Sequence, residues 1–518
     1  MLGFTVSTNM VLVLGPITVD SMEPVKSSSA AAEEWICDAL ALALADESPQ
    51  ALHRRLYLRL REEIELGRLA PGTRLPSSRR LAAALGVGRN TVISALDQLL
   101  HEGFVRSRRG AGSYVSRLEH PLPRASVAAP APEDRGDAGL SSRGAALLSL
   151  SSGARDGGTT FVPGLPALDL FPWRSWRAIQ ARQLKHPPRE WLGYQTQGGL
   201  PRLREVLCDY LRLSRSVRCA PEQIVITQGA QQAFMLIAQL LAEPGDLVWF
   251  EEPGYLGARA ALLAAGLRLS PTPVDADGLD PARGEGRPKL VYVTPSYQYP
   301  CGVTLSLEWR LGLLAEAERS RAWVIEDDYD SEFRYGSKPL ASLQGLGDGR
   351  RVLYVGTFSK VMYPGLGLGY LVLPPALVEP FRTISFRLAR ESHYPLQAAL
   401  AEFIDTGAFT RHIRRCRDAY RERQAALRTA LAPAIERGLE LSCGEAGMHL
   451  LATHPKGIDE EELQRQGARE DVVLRGLSPL HLSGHRRTGL VLGYAAATVA
   501  QIERSGALLD GWLAQGGR

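Results

Sequence analysis

The chain has 518 residues, a formal net charge of +4, and 45% hydrophobic against 22% charged residues. That length exceeds one domain, and a near-balanced charge neither favours nor opposes a polyanionic partner. Six cysteines without a C-x-x-C pair, ten histidines without H-E-x-x-H spacing and no apolar run of about 20 residues argue against a disulfide scaffold, a metal site and a membrane span, and fit a reducing cytoplasm.

Residues 1–48 read as an N-terminal extension open to disorder. Met1 to Leu14 is mildly apolar but lacks a basic flank, so a signal peptide is not expected. From Leu52 to Gly67 the apolar residues Leu56, Leu60 and Ile64 recur at helical spacing, and Gly67 closes the helix. Leu75 to Gly86 predicts a second helix, with serine near its start and glycine at its stop. Gly86-Val87-Gly88 then turns tightly into a third helix that begins Arg89-Asn90-Thr91 and runs to Leu100. Gly103 to Val115 alternates like a hairpin with a basic, glycine-containing tip.

Two helices joined by a short glycine turn follow the helix-turn-helix plan, whose second helix enters the major groove. Arg89, Asn90 and Thr91 are then the expected base readers. Arg79 and Arg80, with Arg106, Arg108 and Arg109 of the hairpin, are expected on phosphates or the minor groove. Between Pro49 and Arg117 thirteen Lys and Arg stand against five Asp and Glu, a surplus of eight in a chain of net +4. Positive charge gathered on the expected reading head is the footprint of duplex binding. Residues 49–117 resemble a GntR-type winged helix, which implies a double-stranded DNA operator as partner.

Residues 118–155, rich in Pro, Ala and charge, read as a semi-flexible linker. Beyond them, 156–518 alternate strands and helices. That pattern predicts a mainly parallel sheet covered on both faces, with a crevice at the carboxyl ends of its strands. A large lobe is expected to about residue 410 and a smaller α/β lobe after it.

Four segments put chemistry at those strand ends. Arg351 to Val355 reads as a strand that delivers Gly356-Thr357-Phe358-Ser359-Lys360. A lysine beside two hydroxyls suits a Schiff base to an aldehyde whose phosphate Thr357 and Ser359 hold. Ala322 to Glu326 delivers Asp327-Asp328-Tyr329. Pyridoxal phosphate needs a carboxylate for its ring nitrogen and a hydroxyl near its phenolic oxygen, and Asp327 and Tyr329, two apart, share a face. Gln223 to Thr227 turns through Gly229-Ala230-Gln231 into a helix, a ready phosphate site. Val248 to Phe250 leads to Tyr255, an aromatic placed to stack on a flat ring.

From about Phe161 onward the chain resembles the fold-type I pyridoxal-phosphate enzymes, the aspartate aminotransferase superfamily. Tyr194-Gln195-Thr196-Gln197-Gly198-Gly199, Glu251-Glu252-Pro253-Gly254-Tyr255, Thr294 to Gly302 and Gly356 to Lys360 carry the match. Glu326-Asp327-Asp328-Tyr329-Asp330-Ser331-Glu332-Phe333 is similar to the MocR/GabR branch of regulators. The resemblance implies Lys360 as the cofactor's covalent anchor, a site at a homodimer interface, and a small amino compound as effector. Two departures stand out. Gly367 occupies a position where branch members often carry a phosphate-binding arginine. Val491-Leu492-Gly493-Tyr494 stands where metabolic aminotransferases carry a carboxylate-clamping arginine. Arg475, Arg486 and Arg487 are candidate substitutes. The expected protein is a pyridoxal-phosphate-dependent, DNA-binding regulator with little turnover. An active aminotransferase, or a sensor of the cofactor itself, stays open at this level.

Overall fold

A computed structural model describes residues 34, 36–41, 50–108, 112–117, 139–150, 158, 160–335, 340–390, 393–484 and 487–516. They fall into two compact units, one within 1–138 and one within 139–518.

Among the described residues the first unit holds a short helical segment at 36–41, three longer helices and a hairpin. Leu52–Glu65 buries Leu56, Leu60 and Ile64, the stripe that its spacing predicts. Ser78–Leu85 starts at Ser77, whose hydroxyl accepts from the Arg80 amide at 3.3 Å, and stops at Gly86 with φ 64°. Arg89–His101 turns Val92, Ala95 and Leu99 inward. Strands β1 (Val105–Arg108) and β2 (Gly112–Val115) pair antiparallel, Val105 opposite Val115 and Arg108 opposite Gly112. The core of this unit also takes Ile36, Cys37 and Leu40, and residues 36–41 are helical. The expected boundary at residue 49 is therefore corrected. A short apolar helix in the expected extension supplies part of the head's core, because a unit this small needs every apolar side chain it can bury.

The second unit begins earlier than expected. Ser142–Ser149, inside the expected linker, is a helix capped by the Ser141 hydroxyl, and Arg143 donates to the Ala264 carbonyl at 3.3 Å. Its large sheet contains β3 (Ile224–Thr227), β4 (Leu247–Glu252), β5 (Arg268–Asp275), β6 (Gly278–Leu279), β7 (Leu290–Val293), β8 (Trp323–Asp328), β9 (Val352–Thr357) and β10 (Gly369–Val372). The order is β3-β10-β9-β8-β7-β4-β5-β6. Neighbours β9, β8, β7, β4 and β5 run parallel, while β10 is antiparallel to both β3 and β9. Inner strands β7 and β10, and β3 at the end of the order, are buried along their whole length, which is why they read as unbroken apolar runs.

A smaller sheet follows: β11 (Glu440–Leu441), β12 (His449–Thr453), β13 (Arg475–Gly476) and β14 (Gly489–Gly493), ordered β11-β12-β14-β13 and antiparallel. One face of β14, Leu490 and Leu492, joins the main core beside the long helix Ala408–Ala430. The other face carries Val491 toward Leu256, Tyr299 and Cys301 of the large lobe. Glu252 ties the lobes together, accepting from the Leu482 and Ser483 amides at 2.7–2.9 Å.

Candidate functional site

In the first unit, the expected DNA contacts lie on one exposed set of elements. Arg79 and Arg80 open the second helix; Arg89, Asn90 and Thr91 form the first turn of the third. Arg106 and Arg108 project from β1, all exposed except the half-buried Thr91. Arg89 reaches back toward the Ser78 hydroxyl at 3.5 Å, and the Arg108 guanidinium sits 5.4 Å from the Tyr114 ring centre. Arg109 lies outside the described residues. Sequence reasoning missed Arg74, which bridges to Tyr114 and packs its guanidinium against Gly112 of the wing. Its signal was present, a lone arginine between two helices, but only the long-range pairing places it at the hairpin.

In the second unit, strand order collects the remaining residues. β10 lies between β3 and β9, and its register puts Gly369 opposite both Thr227 and Thr357. A Cβ on Gly369 would lie 2.8 Å from the Gly229 backbone, so glycine there lets the helix start settle against the sheet edge. The helix Gly229–Leu241 therefore opens beside Thr357 and Ser359. It has no side-chain cap, and the space in front of the Gly229 Cα, at φ 77°, is open. Uncapped amides at a helix start favour an anion. Ala230 is half-buried; Gln231 is exposed and its amide approaches the Tyr255 hydroxyl at 3.5 Å. Gly257 makes that meeting possible, since any Cβ there would overlap both side chains. Thr357 accepts from the Ser359 amide at 3.2 Å. Gly367 faces open space at φ 63° and contributes no side chain.

Alternation along β8 sorts its three acids. Asp327 turns one way, accepting from the Tyr292 hydroxyl at 2.7 Å. Glu326 and Asp328 turn the other. Glu326 accepts from the Leu343 and Gln344 amides, and Asp328 pairs with buried Arg215 at 2.7 Å. Burial pushes the Asp327 carboxyl up to about 7, with Asp328 adding repulsion; the Tyr292 hydrogen bond and Lys360 oppose the rise. Lys360, half-buried just past β9, is pulled below the ordinary lysine range by burial, against the pull of Asp330 and Asp327. Its ammonium lies 2.7 Å from where a Cβ on Gly164 would sit, so a side chain there would push the lysine aside, and φ 71° at that position favours glycine as well.

Tyr329 is half-buried and donates to the Tyr297 carbonyl at 3.0 Å, a bond it must exchange to serve another acceptor. Tyr255 packs edge-on against Tyr299, whose ring also meets Tyr329 and His449. Sequence reasoning missed Gly164, Tyr292, Tyr299, His449 and Asp330. Asp330 lies within the motif Glu326 to Phe333. It is 1% exposed, burial raises its pKa well above the carboxylate range, and its Oδ2 has no hydrogen-bond partner among the described residues.

A stability consequence follows for Asp327. Its folded pKa lies above the ordinary 3.8, so its contribution is whole below about pH 4 and is lost as pH rises through about 7. Glu251, Glu326 and Glu332 are likewise raised to about 7, chiefly by burial. The melting midpoint of cofactor-free protein should fall from pH 5 to pH 8. Asp327→Asn, which cannot ionise, should fall less steeply; an unchanged slope would show that Asp327 does not carry the proton.

The two units match two family models: residues 52–115 match the bacterial regulatory proteins of the gntR family, and 171–504 match aminotransferase class I and II. The probable rhizopine catabolism regulatory protein MocR of Rhizobium meliloti is 40% identical, covering 88% of this chain and 92% of that protein. The uncharacterized HTH-type transcriptional regulator YhdI of Bacillus subtilis is 33% identical over 89% and 95%. Among solved structures, the α-aminoadipate aminotransferase LysN of Thermus thermophilus, complexed with N-(5'-phosphopyridoxyl)-L-leucine, is similar with a TM-score of 0.64 and 28% identity. That match covers 73% of this chain and 95% of LysN. The chain belongs to the MocR-type transcriptional regulators, in which a gntR-family winged helix is fused to an aminotransferase class I and II fold.

Proposed function

We propose that this regulator reads a small amino compound through pyridoxal phosphate held in its second unit, and reports it through the winged head on an operator. The observation that carries the reading is Asp327, a buried carboxyl facing Lys360 at the carboxyl edge of the sheet. The residues present fit the cofactor. Lys360 would hold it covalently, Asp327 would meet its ring nitrogen, and Tyr255 and Tyr329 would flank the ring. The start of Gly229–Leu241, with Ala230, Gln231, Thr357 and Ser359, would take the phosphate. Bound there, the cofactor supplies an aldehyde that amines capture reversibly.

The same geometry supports sensing over turnover. Val491, buried at the lobe interface, puts no charge at the position from which metabolic aminotransferases orient a carboxylate, and a ligand held from a different position is poorly oriented for turnover, which removes much of a catalyst's advantage. A homodimer is part of the reading: Leu192 and Tyr194, 71% and 83% exposed, offer apolar surface for a second copy, and paired heads suit a two-half-site operator. No helix among the described residues is long and apolar enough to cross a membrane, and the cytoplasm is the proposed compartment.

Two measurements test this. Operator binding titrated with amino compounds should change for cofactor-loaded protein, and a single-turnover assay should show negligible amine-form cofactor. Rapid conversion, then repeated turnover with a 2-oxo acid, would make the protein an aminotransferase. On the DNA side, Arg89→Ala should cost about 1–3 kcal/mol and relax preference at one base pair. Wild-type ratios between specific and random duplexes would remove Arg89 from the readers.

A further inference from the structure

We propose that Arg475 is the residue by which this regulator recognises a carboxylate on its amino-compound effector, the clamp having moved one strand across the small sheet. The inference rests on the sensing function above and names the chemical class that the site takes.

The antiparallel register of β13 and β14 places Arg475 directly opposite Val491. Side chains at directly paired positions stand on the same face, with Cβ atoms about 4.5–5.5 Å apart. Val491 is also opposite Leu451 on its other side, so Leu451, Val491 and Arg475 form one row across the sheet. That row faces the large lobe, where Leu451 and Val491 cluster with Leu256, Tyr299 and Cys301. A charge lost from the middle strand is thus replaced on the adjacent strand, on the same face and at the same level.

Tyr299 joins this row to the crevice. Its ring centre is 5.9 Å from that of Tyr255 and 6.3 Å from that of Tyr329, the two aromatics proposed to flank the cofactor. Arg475 is also near enough to the Tyr299 hydroxyl to oppose the rise in its pKa that burial causes. The guanidinium is uncommitted. Arg475 is half-buried, and no ion pair or side-chain hydrogen bond engages it among the described residues. Other buried arginines differ: Arg215 pairs with Asp328 and Arg423 with Asp169, each at 2.7 Å. A partly desolvated guanidinium without a partner is a strong site for a planar oxyanion, which it can meet through two parallel hydrogen bonds.

The alternatives are weaker. Arg487 is exposed and lines a cavity of about 290 Å³ that shares Leu451 and Cys301 with that cluster, but Asp275 and Glu440 stand in the same wall and disfavour a carboxylate there. Arg486 lies outside the described residues. Asp330 is an acid and suits an amine rather than a carboxylate.

The test uses full-length, cofactor-loaded protein and matched pairs of probes: glycine with methylamine, β-alanine with ethylamine, and 4-aminobutanoate with propylamine. Affinity is read from the change in cofactor absorbance. Wild type should favour the carboxylate member of at least one pair by on the order of tenfold or more, as a charge-assisted hydrogen bond allows. Arg475→Gln should bring that ratio close to one while leaving the amine's affinity and the cofactor's dissociation constant unchanged. Arg475→Lys, which keeps the charge but not the fork, should retain part of the preference. The same ratio in wild type and Arg475→Gln, or no carboxylate preference in wild type, would overturn the assignment of Arg475. Absence of any absorbance change with all six probes would overturn the sensing function as well.

Discussion

Lys360→Ala should abolish covalent retention of pyridoxal phosphate. Borohydride treatment of the wild-type protein is expected to fix the cofactor to the peptide carrying Lys360, and to fix none in the variant. The expectation follows from placement. Lys360 leaves the end of β9 with its ammonium against Gly164, and burial already holds it toward the neutral, nucleophilic form. The variant should still bind operator with sequence preference, because the head folds as a separate unit with its own core. What it should lose is the response of that binding to amino compounds. A reducible link at another lysine in Lys360→Ala would remove the assignment. An unchanged response to amino compounds would detach sensing from this residue.

Much of this crevice was legible because its strands are buried on both faces. Unbroken apolar runs such as Val352 to Val355 mark a central strand, and whatever follows such a run lies at the sheet edge. Lys360, Asp327 and the Gly229 turn could be assigned to that edge with no knowledge of strand order. The rest depends on pairing between distant segments. Gly164 precedes Lys360 by nearly two hundred residues and owes its role only to the lysine packed on it. Arg475 gains meaning from its register with Val491, which no local pattern states. The helix Ser142–Ser149 was hidden by Gly144 and by its place in a stretch rich in polar and small residues. It is held by tertiary contact rather than by propensity.

Separation of the three acids on β8 also bears on regulation. Asp327 faces the crevice and is free to respond to a cationic ring nitrogen. Glu326 and Asp328 face away and hold Leu343, Gln344 and Arg215 in place. A change of charge at Asp327 is therefore felt on a strand whose other face is fixed. Glu252, at the end of β4 two strands away, carries the tie to Leu482 and Ser483 of the smaller lobe. The crevice and the lobe contact thus share one rigid sheet edge.

Rigidity of that edge should depend heavily on one ion pair. Arg215 is 2% exposed, and its guanidinium donates to Asp328 at 2.7 Å, to the Leu340 carbonyl and to the Ser296 hydroxyl. Asp328 also accepts from the Ser331 hydroxyl at 2.9 Å and from the Tyr354 hydroxyl. Arg215→Met would keep much of the volume but leave a buried carboxylate facing no cation, a loss of about 3–5 kcal/mol in comparable buried pairs. Urea unfolding followed by tryptophan fluorescence isolates this unit, since seven of the eight tryptophans lie after residue 139. Adding Asp328→Asn should recover part of the loss, because the amide needs no counter-charge and still accepts from Ser331 and Tyr354. Cofactor affinity should fall in the single variant and partly return in the double, as Asp327 sits one residue away on the same strand. A single variant as stable as wild type would show that the pair does not anchor the strand that carries Asp327.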